Sequence, residues 1–184
     1  MWCQPPQTLS QPGVNVALFA LMATDAHKAS LLQALTSQRE HILDRLEGLP
    51  DDGLRRSVLP SQWTPLGLVY HLAMDVERFW FLDVMIGDPS AIAAGVEDGW
   101  HPPADMAAES ILALYRRQIE LANAVIDATP LDQPPANWPA RWPNWRFRDL
   151  EEMMLHVITE TAVHAGHLDA VRELIDGSQW LVLA

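Results

Sequence analysis

The segment His156–Gly177, HVITETAVHAGHLDAVRELIDG, constrains this chain more than any other. Its apolar spacing predicts one long helix, yet ionisable groups stand where a core is expected. At about 100° per residue, His156, Glu160, His164 and His167 fall in one stripe about 80° wide. Met153, Val157, Val163, Leu168, Val171, Leu174 and Ile175 flank that stripe, and Glu151, Asp169 and Glu173 lie opposite. The spacing therefore puts the Glu/His stripe in the middle of the inward face. Buried ionisable groups are costly unless paired or bound to a metal, so three histidines and a carboxylate there need a common partner.

Three more helical segments are expected. The first runs from about Thr24 to Glu47 on the spacing of Leu31, Leu32, Leu35, Ile42, Leu43 and Leu46, with Gly48 just past its end. The second runs from about Pro65 to Ile86, with Thr64 as N-cap, Pro65 at the first helical position and Gly87 as terminator. It is apolar nearly all round, which predicts burial on several sides. His71 lies on it among Leu68, Met74 and Leu82, with Asp75 one turn on and Arg78 within reach. The third spans about Ala104 to Ala128, with Ile111, Leu114, Tyr115, Ile119, Ala122 and Ile126 inward, and Thr129-Pro130 stops it. Asp149 caps the fourth helix in a capping box with Glu152, and Gly177 takes the position after its end. Four helices and no strand pattern predict an all-α fold, a four-helix bundle whose two long connections leave room for crossovers.

The chain has 184 residues and is 49% apolar, enough for one domain with a sizeable core. We read residues 24–184 as that domain and residues 1–23 as an N-terminal arm. A formal net charge of −12 disfavours nucleic acid, whose phosphates need a basic surface. The apolar run Val14–Ala23 contains Asn15 and is too short to span a bilayer. No basic stretch precedes it, so neither a signal peptide nor a membrane partner is expected, and the expected location is cytoplasmic. The single cysteine, Cys3, precludes an internal disulfide.

Between the third and fourth helices, five prolines preclude a helix. There Trp138, Trp142 and Trp145 alternate with Arg141, Arg146 and Arg148. We expect the tryptophans to pack the bundle end and the arginines to be solvated; the competing reading is a pocket mouth that attracts an anionic substrate.

A catalytic zinc-type site uses three His or carboxylate ligands and keeps one position open. Glu160 and His164, at i and i+4, can reach one ion, and His71 is the best candidate from another helix. Spacing alone does not choose among Glu160, His156 and His167, and a metal-free core of hydrogen-bonded histidines competes with the metal reading. His27, His41 and His101 read as surface or loop residues. Arg172 and Asp176 are also at i and i+4, and Arg172 is expected to pair with acidic neighbours in a structural role.

The stretch TETAVHAGHLDAVRELIDG resembles the last helix of the DinB-like superfamily, in the branch that includes mycothiol-dependent maleylpyruvate isomerases. Glu160, His164, Ala165, Gly166, His167, Asp169, Arg172, Glu173, Asp176 and Gly177 carry the likeness. WTPLGLVYHL, ending one residue after His71, and LEGLPDDGLR, from Leu46 to Arg55, extend it over about Ser30–Gly177. The resemblance implies a DinB-like bundle with a divalent metal on His71, Glu160 and His164. The metal is read as Zn2+, with Ni2+, Fe2+, Co2+ or Mn2+ as alternatives. It further implies a low-molecular-weight thiol (mycothiol, bacillithiol or glutathione) held as a metal-bound thiolate that attacks an electrophilic small molecule. The expected activity is that of a thiol-dependent transferase or isomerase. His167 is expected to stay off the metal and act as the catalytic proton acceptor, because a fourth ligand there would close the site. The alternative is a non-enzymatic metal-binding stress or scaffold protein. The sequence does not set the thiol, the electrophile or the oligomeric state, a homodimer being one option.

Overall fold

The computed structural model describes residues 12–95 and 98–181, with side chains described from Thr24 onward and at Met22. The elements are α1 (Pro12–Leu46), α2 (Asp51–Leu54), α3 (Pro65–His71), which continues without a break into a π-helical segment (Leu72–Met85), α4 (Pro89–Ala94), α5 (Ala108–Ala128) and α6 (Leu150–Asp176). Two boundaries differ from the spacing. Helix α1 begins at Pro12 rather than Thr24, so residues 12–23 extend it; residues 1–11 of the expected arm, including Cys3, lie outside the described residues. Helix α5 begins at Ala108 rather than Ala104, after Pro102-Pro103 and a turn in which the Met106 amide donates to the Pro103 carbonyl.

Side-chain pairs set the helix directions. His27 meets Glu151, His41 meets Asp169 and Arg45 meets Ser178, so α1 and α6 run parallel. Lys28 reaches the carbonyls of Asp127 and Thr129, and Arg39 reaches Asn123, so α1 and α5 are antiparallel. His71 faces Glu160 and His164 while Trp80 faces His156, so the α3–π helix is antiparallel to α6. The order is therefore up, down, down, up: the connection between the π segment and α5 runs the length of the bundle, whereas that between α5 and α6 starts and ends at one end of it, beside His27 and Lys28, and the fold is the helical bundle that the resemblance implies.

The caps explain where the helices start and stop. The Thr64 side chain accepts from the Gly67 amide and Pro65 follows it. Asp149 accepts from the Glu152 amide at 3.0 Å. The Glu152 carboxylate reaches back one residue further than in the usual capping box, to the Arg148 amide at 2.7 Å. Gly177 closes α6 at φ 78°.

The π segment has its own logic. Its buried residues are Leu72, Ala73, Val76, Glu77, Trp80, Phe81, Val84 and Met85. They recur as pairs every four positions, a longer repeat than the 3.6 of an α-helix, so a wider winding keeps them on one face. The Pro-rich connection satisfies the end of this helix: Ala136 and Asn137 donate to the carbonyls of Met85 and Val84, each at 3.0 Å.

One internal ion pair went unread in the sequence. Arg39 grips Glu77 through Nε at 2.7 Å and through its terminal nitrogen at 2.6 Å, and also donates to Asn123. Arg39 and Glu77 are 2% and 0% exposed. This pair ties α1 to the π segment across the core. Close by, Tyr115 is fully buried, and burial pushes its phenol well above its ordinary range, with the Glu77 charge adding to the effect.

Candidate metal centre

Helix α6 corrects the first expectation. Its core face carries Met153, Met154, Val157, Thr161, Ala165, Leu168 and Val171, whereas Val163 and Leu174 are exposed. The Glu/His stripe therefore borders the core instead of lying at its centre. Along it His164 is buried, His156 and Glu160 are half-buried and His167 is exposed.

Where this border meets α3, three groups converge. Ligand atoms of His71, Glu160 and His164 all lie within 4.8 Å of one another. Glu160 Oε1 is 3.2 Å from His164 Nε2 and 3.9 Å from His71 Nε2. On its other side, His71 donates from Nδ1 to Asp75 Oδ2 at 2.9 Å. That leaves His71 Nε2 buried without a hydrogen-bond partner. Burial pushes the His164 imidazole below its usual value, neighbouring His71 acts in the same direction, and Glu160 opposes both. Two imidazole nitrogens beside a carboxylate oxygen are a donor set that suits a divalent cation. The carboxylate behind His71 is the outer partner that orients a ligating histidine. The residues present fit a metal.

The loop before α5 covers this group. Trp100 stacks on the His71 ring with centroids 4.2 Å apart and planes 12° from parallel. Two glycines let it approach. A Cβ on Gly67 would stand 2.4 Å from the Trp100 carbonyl oxygen, and one on Gly99 would stand 1.5 Å from Asp75 Oδ2. The stack was not legible in the sequence, because it depends on where a long connection returns.

Two clefts flank the triad. One, of about 620 Å³, is lined by His71, Asp75, Glu160 and His156 together with Arg141, Trp142 and Trp145. The other, of about 510 Å³, is lined by His164, His167, Trp100, Trp63 and Ser61. His167 lies outside the converging group, with its ring 5.7 Å from that of His164. His156 is also outside it, packed edge-on against Trp80 and in contact with Phe147; burial lowers its pKa while the Glu160 charge raises it. A larger cleft, of about 710 Å³, lies between Lys28, Asp127 and Glu151, away from these residues.

The Trp/Arg connection does more than the packing role expected of it. Trp138, Trp142 and Trp145 do pack around Trp80 at the bundle end. The same connection also walls the first cleft. Nor are its arginines merely solvated: Arg141 lies over Phe79 and Trp142, Arg146 donates to the Pro135 carbonyl and Arg148 pairs with Glu152. His41, read as a surface residue, instead bonds Asp169 at 2.9 Å and stacks on Trp180. His27 and His101 are exposed and pair with Glu151 and Asp98.

An all-helical bundle with a His/Glu/His group beneath a tryptophan defines the class of protein. The family model described as mycothiol-S-transferase matches residues 30–177, and the chain belongs to that family. No curated protein and no solved structure matches the chain. Among the described residues no helix is long and apolar enough to cross a membrane.

Proposed function

We propose that this protein is a metal-dependent enzyme that uses a low-molecular-weight thiol, with mycothiol first among the candidates, for S-transfer to or isomerisation of an electrophilic small molecule. His71, Glu160 and His164 hold the metal, most simply Zn2+. The observation that carries this reading is the unpartnered, buried Nε2 of His71, turned toward a carboxylate that His164 shares. Such an atom costs stability unless something accepts its lone pair. When bound, a divalent ion supplies the Lewis acidity that makes a thiol acidic at neutral pH.

The residues of the chain do the rest. The cleft between Trp63, Trp100 and His167 admits the thiol, and the cleft beside Glu160 admits the electrophile. His167 accepts the thiol proton. In a transfer the sulfur forms a bond to the electrophilic carbon and the leaving group departs with its bonding pair. In an isomerisation no group is lost: the sulfur adds to a conjugated double bond whose π pair moves onto the conjugated acceptor, and after rotation the returning pair expels the thiolate. Trp100 keeps water from the His71 face. Low-molecular-weight thiols are kept reduced in the cytoplasm, where the enzyme would act.

The competing reading is a metal-binding protein without turnover, which a fourth protein ligand would favour; His156 and His167 both lie outside the converging group. The test is to incubate the purified, metal-containing protein with mycothiol, bacillithiol or glutathione and monochlorobimane, following thioether formation. Metal-dependent consumption of one thiol is expected. No consumption of any thiol by fully metal-loaded protein would favour the competing reading.

A further inference from the structure

The cleft beside Glu160 carries a chemical instruction of its own. The protein is strongly acidic, with a formal net charge of −12, and several of its arginines are paired: Arg39, Arg45, Arg55, Arg117, Arg148 and Arg172 each face a carboxylate. Arg141 does not. Among the described residues no carboxylate lies within ion-pair distance of it, and it is exposed at the wall of this cleft. Its guanidinium is instead held by two rings, 4.4 Å from the centroid of Trp142 and 5.2 Å from that of Phe79. Rings hold a guanidinium by its face and leave its in-plane N–H donors available.

The remaining walls are aromatic. Trp145 is 45% exposed although it belongs to the packed cluster at the bundle end. A large indole left open in a cleft offers a stacking surface to a planar group. The cleft is also electrically polar. Asp75 and Glu160 line it beside His71, and Arg141 is the cation in its lining. An anionic molecule is repelled by the carboxylates and attracted to the guanidinium, so charge alone would orient it.

We propose that this cleft takes a planar electrophile carrying an anionic group such as a carboxylate, with Arg141 binding the anion, Trp142 and Trp145 carrying the planar part, and the reacting carbon directed toward Glu160 and His71. This deepens the thiol-transfer reading and rests on it for the identity of the reacting end. The anion site itself is read from binding alone. A neutral planar electrophile would leave the guanidinium without a use, and a non-planar one would leave Trp145 uncovered.

The test is a tryptophan-fluorescence titration of the metal-containing protein with 4-nitrobenzoate and, separately, with its neutral analogue 4-nitrobenzamide. Both quench indoles, and they differ in charge at one position. Wild type should bind the benzoate about tenfold more tightly than the amide, as a charge-assisted hydrogen bond requires, with the preference shrinking as salt rises. Arg141→Gln should bring the two probes to parity, Arg141→Lys should keep part of the preference, and Arg148→Gln should keep all of it. Equal binding of the two probes to wild type would overturn the proposal without any variant. So would a full preference surviving in Arg141→Gln. Thiol consumption is measured separately on the same preparations. A missing charge preference alongside intact thiol consumption removes the anionic class alone, whereas missing consumption in metal-loaded protein removes the reading beneath it.

Discussion

His71 and Asp75 stand one turn apart with Nδ1 2.9 Å from Oδ2. An ionised carboxylate can only accept, so Nδ1 carries a proton, and the ring can offer a lone pair only at Nε2, the buried atom that faces Glu160. Asp75 thereby decides which nitrogen of His71 is free. Asp75→Ala is expected to weaken metal binding by about 10–100-fold while leaving the helical circular dichroism unchanged, the usual effect of removing an outer carboxylate. Competition with a chromophoric chelator measures it. An unchanged affinity would take Asp75 out of the site.

Gly99 makes the opposite kind of demand, for space. Its Cβ position is 1.5 Å from the Asp75 carboxylate, so Gly99→Ala must displace the loop that carries Trp100. The expected loss is about 1–3 kcal/mol of stability, together with weaker metal binding as the stack on His71 opens. Gly166 provides the contrast: it lies within α6, and a Cβ there meets nothing within 4 Å. Gly166→Ala should stabilise by about 0.5–1 kcal/mol. Urea denaturation of the two variants, giving shifts of opposite sign, checks both statements.

The buried Arg39–Glu77 pair leads to a third expectation. Removing one partner leaves the other charged in a core position 2% or less exposed. Arg39→Met should therefore cost about 3–5 kcal/mol, and the double change Arg39→Met with Glu77→Leu should recover much of that. A double-mutant cycle in urea decides it; additive losses would mean that the two charges do not depend on each other.

Much of this architecture was legible from residues. Thr64-Pro65, Asp149 with Glu152, and Gly177 are local signals whose physics is complete within a few residues, and they lie at the helix ends where expected. That His71 would meet the Glu/His stripe of α6 could be anticipated because it stands alone on the buried second helix, but the choice of Glu160 and His164 within the stripe came from the resemblance and not from spacing. The centre of the α6 stripe was misjudged because periodicity gives the angle between side chains but not which edge a neighbouring helix covers. Val163 and Leu174 are apolar and yet exposed. Trp100 over His71, His41 on Trp180, and Arg39 with Glu77 join segments far apart in the chain, and no local pattern encodes such meetings. The early start of α1 at Pro12 has a related cause: the leucine spacing from Leu31 to Leu46 on which the start at Thr24 rested does not extend into residues 12–23, although the helix does.

The reach of Glu152 back to Arg148 has a pH signature. The Arg148 amide and then its side chain hold the Glu152 carboxyl below its ordinary value of 4.5. A carboxyl with a lowered folded-state pKa stabilises fully above the unfolded value and loses that contribution as pH falls through the folded one. Glu152→Ala should melt below wild type at neutral pH, with the gap narrowing as pH drops under 4.5. Asp149→Ala removes the cap itself and should cost about 1 kcal/mol. Thermal melts across pH check both; a gap for Glu152→Ala that widens in acid would contradict the sign.

The central claim is that His71, Glu160 and His164 together hold one divalent metal. The most direct measurement is the metal-to-protein ratio, by plasma mass spectrometry, of wild type and of His71→Ala, Glu160→Ala and His164→Ala after purification and dialysis. His27→Ala serves as the control, since His27 is exposed and paired with Glu151 elsewhere on the bundle. About one ion per chain is expected in wild type and in the control, falling to a small residual fraction in each of the three variants. Full occupancy in any of those three, or a wild-type protein that takes up no divalent metal, would contradict the account.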